Sequence, residues 1–459
     1  MTSTLIIPVE NQVRELDAKL LLACVAAEHG FASVLGSKQY LYFSMPRIER
    51  GVFIAKSMRA RSTLMFDIIR SLGNDIVACD EESLVRYASP GYSAWRFSAS
   101  TFNFIRYLFA WGEDDAEMFN RYPGNKSTKV FVTGNPRADL LRRDVRGYFS
   151  DEVEQLRARF GDFILVNTNF SFVNPFVKKL ALVQTGAGSS STVSRTGSGM
   201  SQAFAIGMAA HQQQIFEHFQ TLVSRLGKWF PDHQIVVRPH PSEDHAVWRQ
   251  IVNDDANVHI NHDGNVVPWL MASRVLVHNG CTTAVEAAVL ERPSVSYQPV
   301  QSECYDYHLP NSLSHCAFEL DDVRDYVEAI IDDRTGLIDE TERQRIFGRH
   351  LAGVTGPLAA ERIVLVLKKA GYGSSKPPRA PIVQRAKGRL TAGARTMIKR
   401  FNMLRRDHWN SARYHAHRFP DISATEINGR ISRLGRVLGR FDGVEATQFS
   451  KHVFRVTRS

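Results

Sequence analysis

The sequence predicts an α/β protein of two Rossmann-like domains facing a cleft, with a basic C-terminal helical extension. Three observations predict it. A chain of 459 residues exceeds what one hydrophobic core sustains, because cores stop growing at roughly 250 to 300 residues. Short apolar, β-branched runs alternate with amphipathic stretches of helical length, the pattern of βα units around a parallel sheet. That series runs through twice, with a charged stretch of helical period, 142–160, as the bridge.

In chain order, LIIPV (5–9) reads as a strand, and 17–29 repeats Leu20, Leu21, Cys24 and Val25 at helical spacing before Gly30 ends it. FASVLG and GVFIAKS follow as strands, 63–72 as a helix closed by Gly73, then the strands DIVAC and YLFAWG, a helix at 114–120 and the strand KVFVT. This completes a domain at 1–150. A second series, DFILVNTNFS, QIVVRPHPSE, NVHI, RVLVHNG and RPSVSYQP, makes a domain at 160–372. Within it, 185–201 is rich in Gly, Ser and Thr without an apolar period and reads as a mobile surface loop, either a lid or an insertion.

An apolar fraction of 44% and a charged fraction of 23% are ordinary for a globular chain and exclude wholesale disorder. No apolar run reaches the roughly 20 residues of a spanning helix, and no signal peptide is readable. The five cysteines are scattered, with no C-x-x-C pair. These features predict a cytoplasmic protein with reduced thiols. The net charge of +10 belongs to one segment: residues 376–459 carry 19 Lys and Arg against five Asp and Glu, so residues 1–375 are acidic on balance. Pro377, Pro378 and Pro381 set off this third region, 373–459.

Four constellations carry chemistry. In RVLVHNGCTTAVEAAVLE, a strand runs into Asn279-Gly280, where a glycine permits a sharp turn, and Thr282 or Thr283 then caps a helix bearing Glu286. The N-terminus of such a helix favours phosphate, so Asn279, Gly280, Cys281, Thr282 and Thr283 are candidates for a nucleotide phosphate and Glu286 for a ribose; the structural alternative is an ordinary cap and a solvated helix face. In QIVVRPHPSE, a strand delivers Arg238 and His240 to its carboxyl end, with prolines on both sides of the imidazole. A histidine with an ordinary pKa near 6.5 protonates or stabilises a leaving phosphate around neutrality. In DIVACDEES, Asp80, Glu81 and Glu82 follow a strand, where a carboxylate can take the proton of an acceptor hydroxyl or simply form a solvated turn. Asn135 and Arg137 of GNPR suit a phosphate or a sugar carboxylate, unless Arg137 pairs with Asp139. Asn167, Asn169 and Ser171, on the first loop of the second domain, are expected to line the cleft.

Together GNPRADLL, ILVNTNFS, RPHPSE and HNGCTTAVEA resemble the bacterial surface carbohydrate biosynthesis proteins, a GT-B-like group related to capsule and lipopolysaccharide Kdo transferases, to sialyl- and polysialyltransferases, and to CDP-glycerol glycerophosphotransferases. The resemblance spans roughly residues 1–370. CDEES, His240-Pro241 and Thr282-Thr283 look like the acidic, HP and Ser/Thr motifs of the CMP-sugar enzymes, with Ser83 where that pattern has glycine.

The resemblance implies a glycosyltransferase without a cofactor, moving a CMP-activated, Kdo- or sialic-acid-like sugar onto a glycan or glycolipid of a surface polysaccharide. No acidic pair reads as a D-x-D metal site, Asp114-Asp115 falling inside a helical pattern, so metal independence is expected. A polyol-phosphate transferase or a sugar-nucleotide epimerase is the enzymatic alternative, and a non-catalytic nucleotide-binding scaffold the other. In the tail, Ile427, Ile431, Leu434, Leu438 and Phe441 recur at helical spacing among Arg430, Arg433, Arg436 and Arg440. That pattern fits a helix lying on an anionic membrane face, which would make the protein peripheral on the inner side of the cytoplasmic membrane, or one packed on the protein. No nucleic-acid motif accompanies the charge, so no nucleic-acid partner is expected.

Overall fold

The structure, a computed structural model, describes residues 3–87, 91–185, 191–252, 256–406 and 408–459. The chain divides into two compact units. Unit 1 comprises Met1–Leu84, Arg96–Tyr148 and Phe347–Ser459, and unit 2 comprises Val85–Trp95 and Phe149–Ile346. Both are α/β, as the alternating pattern predicts, but the boundaries are drawn by packing. Residues 85–95 leave the first series for unit 2, where Trp95 Nε1 donates to Thr196 O at 2.8 Å and Tyr87 packs on Phe204. Residues 347–459 return to unit 1, so the basic tail is no separate region.

Unit 1 begins with β1 (Thr4–Val9), β2 (Ala32–Ser37), β3 (Gly51–Ala55), β4 (Asp75–Cys79), β5 (Ile105–Ala110) and β6 (Lys129–Val132), all parallel. Leu5, Ile6, Val9, Val52, Ile76 and Val77 are buried because helices cover both faces of a parallel sheet. Each such side chain stabilises the fold by about 1.5 to 3 kcal/mol relative to exposure. The helix Gln12–Glu28 lies against β2 and is buried nearly all round, Leu16, Leu20, Leu21, Cys24 and Val25 included.

Unit 2 is built on β7 (Phe163–Asn167), the short hairpin β8 (Val183–Thr185) and β9 (Ser191–Val193), then β10 (Gln234–Arg238), β11 (Val258–Ile260), β12 (Val275–His278), β13 (Ser294–Tyr297) and β14 (His315–Ala317). Its main sheet runs β11-β10-β7-β12-β13-β14, which in the order of its own strands is 3-2-1-4-5-6, that of dinucleotide-binding folds. The helix Gln202–Trp229, absent from the elements predicted above, packs Phe216, Phe219, Leu222, Val223 and Leu226 into this core.

The tail ends in a hairpin, β15 (Val444–Ser450) and β16 (Val453–Arg458), a departure from a purely helical extension. β16 pairs antiparallel with β2, so the unit 1 sheet runs β15-β16-β2-β1-β3-β4-β5-β6. The approach is close enough that a Cβ at Gly36 would stand 2.2 Å from His452 O. Glycine is required there by space.

Two further expectations change. The helix Ala424–Leu438 does not offer its apolar face outward: Ile427, Ile431, Leu434 and Phe441 are buried, Arg430 pairs with Asp17 at 2.5 Å, and Arg440 pairs with Glu28 and Glu361. This is the protein-packed alternative. The loop 185–201 falls partly outside the described residues, at 186–190. Its remainder is ordered by pairing: β8 and β9 are antiparallel, Ser194 N–H donates to Leu182 O, and Thr196 Oγ1 donates to Leu180 O. Among the described residues no helix is long and apolar enough to cross a membrane.

Candidate functional site

In unit 2 the register sets Arg238, Asn167 and His278 side by side at the carboxyl ends of β10, β7 and β12. The sheet order reverses between β7 and β12, the position where open α/β sheets leave a crevice beyond their strand ends. Asn167 (4% exposed) and Asn279 (8% exposed) lie at this point, and neither end of either amide has a hydrogen-bond partner among the described residues. A buried amide in that state forfeits about 1 to 3 kcal/mol, so groups of this kind cluster where a ligand supplies the missing bonds.

Asn279 is aimed by the turn that follows β12. His278 is fully buried, and burial pushes its imidazole down to about 3, so the ring is neutral. Gly280 N–H donates to His278 Nδ1 at 2.9 Å, leaving Nε2–H to donate to Ser314 Oγ at 2.8 Å. Gly280 has φ +79°, a left-handed conformation that disfavours a side chain. The helix Thr282–Val289 then begins. Its N-cap is Cys281 and not a threonine, and Cys281 makes no side-chain cap; its Sγ instead lies 2.7 Å from Thr283 Oγ1. Thr282 and Thr283 are half-buried at the uncapped first turn, and Glu286 is buried one turn on.

The loop after β10 is held by a residue the motif reading did not single out. Glu243, fully buried, accepts from Thr168 Oγ1 (2.8 Å), Phe170 N–H (3.0 Å), His240 N–H (3.1 Å) and Trp248 Nε1–H (3.2 Å), tying the loops after β7 and β10 together. Burial, opposed by these donors, pushes its carboxyl up to about 7. It stands at the end of RPHPSE, but no local pattern announces that it is buried. His240 is half-buried, and its Nδ1 accepts from Ser242 N–H at 3.1 Å, so the neutral ring carries its proton on Nε2. Arg238 is committed within unit 2: it donates to Asp263 O and Gly264 O and lies over the Trp269 ring at 5.1 Å. Burial lowers its guanidinium to about 9. It therefore positions the 263–264 turn. Asn169 and Ser171 are half-buried on the loop after β7.

In unit 1 the strand order reverses between β1 and β3, and the carboxyl edge there is occupied by charge. Lys56 Nζ bonds Glu15 (2.5 Å) and Glu10 (3.0 Å), Lys19 Nζ bonds Glu15 (2.6 Å) and lies 3.5 Å from Glu81, and Arg418 of the tail reaches Glu10 at 2.7 Å. Against the effect of burial, Lys19 and Lys56 hold Glu15 well below the usual carboxylate range. Burial lowers Lys38, 3.3 Å from Glu10, to about 8.

The acidic triplet after β4 joins this network. Asp80 is fully buried, pairs with Arg96 and accepts from Glu82 N–H; burial raises its carboxyl, with Arg96 opposing. Glu82 receives both Arg14 amino groups at 2.9 and 3.2 Å. Burial would raise it, but Arg14 and then Arg96 hold it down to about 2, which makes it a weak proton acceptor. Glu81 Oε2 is buried without a hydrogen-bond partner among the described residues.

The GNPR turn serves unit 1 itself. Asn135 caps the turn by accepting from Arg137 N–H and donates to Cys79 Sγ, while Arg137 lies over the Trp111 ring at 5.7 Å. Asp139 does not pair with Arg137; it accepts from Ala359 and Ala360 N–H at 2.7 and 2.9 Å, capping the helix Ala359–Lys369.

No family model and no curated protein matches the chain. Solved structures do. The wall teichoic acid polymerase TagF, in a form soaked with CDPG, matches with a TM-score of 0.50 at 10% identity, covering 80% of this chain and 88% of that one. The UDP-GlcNAc 2-epimerase of Neisseria meningitidis bound to UDP-GlcNAc matches at 0.49 and 13%, covering 80% and 100%, and HepE of Anabaena in complex with UDP and glucose at 0.42 and 12%, covering 81% and 99%. At such identities the likeness is one of fold, and with TagF it places the chain in the GT-B-like α/β class.

Proposed function

We propose that the chain is a glycosyltransferase whose nucleotide-activated donor is held at the strand-order reversal of unit 2. The observation that carries this reading is the pair of buried amides of Asn167 and Asn279, without hydrogen-bond partners among the described residues, beside the start of the helix Thr282–Val289, which has no side-chain cap. An amide offers both donor and acceptor, which suits a base or ribose edge, and helix N–H groups with threonine hydroxyls suit a phosphate. In this reading Glu286 accepts from the ribose and His240 donates a hydrogen bond from Nε2–H to the leaving phosphate. The donor is a CMP-activated sugar of the Kdo or sialic acid kind, the acceptor a surface glycan or glycolipid, and a carboxylate of the Asp80 to Glu82 triplet activates the acceptor hydroxyl.

Thermal-shift screening against CMP, CDP, UDP and GDP tests the donor half. Cytidine nucleotides are expected to raise the melting temperature, by an amount equivalent to about 2.7 kcal/mol at a ligand concentration of a hundred times Kd. If none of the four shifts the wild type, the proposal fails. His240→Ala is expected to keep the nucleotide shift and lose about 10² to 10⁴ in turnover of the donor that binds.

One observation favours a second reading: TagF, one form of which was soaked with CDPG, is a neighbour at a TM-score of 0.50. A CDP-linked polyol donor would give a phosphodiester product, a CMP-sugar a glycoside, and mass spectrometry of the product separates them.

A further inference from the structure

The basic tail does carry an outward apolar face, on a different helix from the one its periodicity suggests. The helix Ile382–Met403 lies on unit 1 through small residues: Gly388 and Ala392 are buried, and a Cβ at Gly388 would stand 2.8 Å from that of Ser71. Arg395 and Arg400 lie over the rings of Tyr42 and Phe43, and Lys399 donates to Asn410. The opposite side holds Val383, Leu390, Met397 and Leu404, which recur every seventh residue, with Ile398 and Phe401 beside them. Their exposures run from 62% to 83%, and together they form most of the large exposed apolar side chains of the described residues. Contiguous apolar surface of this kind marks a docking site.

The charge around the stripe identifies what docks. Residues 376–406 contain ten Lys and Arg and no Asp or Glu. At 100° per residue, Lys387 and Arg405 border one side of the stripe and Arg389 and Arg400 the other. Long basic side chains flanking an apolar stripe let the helix lie in a lipid interface, with Leu and Phe among acyl chains and ammonium and guanidinium groups at headgroup phosphates. A second copy of the chain is the poorer fit, because a two-fold pairing of this face would set its cations against each other. We propose that the helix Ile382–Met403 docks unit 1 on an anionic bilayer surface. This inference does not rest on the transferase reading and stands whatever reaction the chain catalyses.

Flotation of the full-length protein with vesicles of phosphatidylcholine alone, or rich in phosphatidylglycerol, tests it. The wild type is expected to float with the anionic vesicles and to release as salt rises. The combined change Leu390→Ser, Met397→Ser and Phe401→Ser is expected to lower partitioning by at least about tenfold without moving the melting temperature, because these side chains are exposed. Lys387→Gln with Arg389→Gln and Arg405→Gln is expected to weaken binding to anionic vesicles by about fivefold per charge removed. Wild type that ignores anionic vesicles, or a triple serine variant that floats as wild type does, overturns the proposal. So does a wild-type dimer in vesicle-free sedimentation that the serine variant converts to monomer while vesicle binding is absent.

Discussion

The two sheets reverse their strand order at one point each, and the two points are equipped in opposite ways. In unit 1 the edge beyond β1, β3 and β4 is packed with charges that satisfy one another: Glu15 between Lys19 and Lys56, Asp80 with Arg96, Glu82 with Arg14. In unit 2 the edge beyond β7 and β12 presents the neutral buried imidazole of His278 and two amides without hydrogen-bond partners among the described residues. The same strand connectivity thus produces one edge built of paired charges, in which Asp80 Oδ2 and Glu81 Oε2 still have no hydrogen-bond partner among the described residues, and one built of neutral amides that have none at either end. Buried ion pairs resist losing a member, because the remaining charge is stranded in a low dielectric. Unpartnered amides detract from the stability of the free protein and become favourable only when a ligand completes them.

Removing a charge from unit 1 should have the largest effect. Arg96→Ala leaves the carboxylate of fully buried Asp80 without its cation and is expected to cost about 3 to 5 kcal/mol in urea denaturation. A loss under about 1 kcal/mol would mean that the network is looser than its geometry.

A smaller effect comes from pH. Burial raises Glu243 in unit 2 and Asp139 in unit 1, each to about 7. Between the ordinary carboxylate value and about 7 the folded state holds protons that the unfolded chain has released. Their contribution to stability is therefore complete below about pH 4 and is lost as pH rises through about 7. The buried imidazoles of His278 and His415, held near 3 and 4, act with the opposite sign below about pH 6.5, so the comparison to read is wild type against Glu243→Gln. Between about pH 5 and pH 8 the wild type should lose urea stability relative to the variant, and parallel curves would show that Glu243 is ionised throughout.

The smallest change in stability is expected where the functional loss is greatest. Asn167→Ala removes, without adding volume, an amide that has no hydrogen-bond partner among the described residues, so the free protein should change by less than about 1 kcal/mol, or gain, while the thermal shift with nucleotide disappears. A loss of several kcal/mol in the free protein would make Asn167 structural and erase the contrast between the two edges.

Much of the strand framework is legible in the sequence because parallel strands buried on both faces must be continuous apolar runs: LIIPV, DIVAC, FILVN, QIVVR and VLVH are strands for that reason. The loops after β10 and β12 are equally legible, since Pro and Gly fix local backbone wherever they stand. What bonds to Arg238, Arg137 or Glu243 is not, since the Asp263 and Gly264 carbonyls, the Glu81 carbonyl and Trp111 ring, and the Thr168 hydroxyl and Phe170 N–H come from segments distant in sequence.

The two amphipathic basic helices of the tail make the division clear. Each carries an apolar stripe and flanking arginines, and local pattern cannot distinguish them. The helix Ala424–Leu438 finds Asp17, Glu28 and Glu361 at the ends of its arginines and a core under its stripe; the helix Ile382–Met403 turns its stripe away from unit 1 because its small residues are the ones that fit against Ser71. The sequence by itself determined which segments alternate as strand and helix, because burial on both faces of a sheet writes itself into every residue of a strand. Only the tertiary structure decided which charges are spent inside the protein and which apolar face is left uncovered, because those outcomes depend on what distant segments bring alongside.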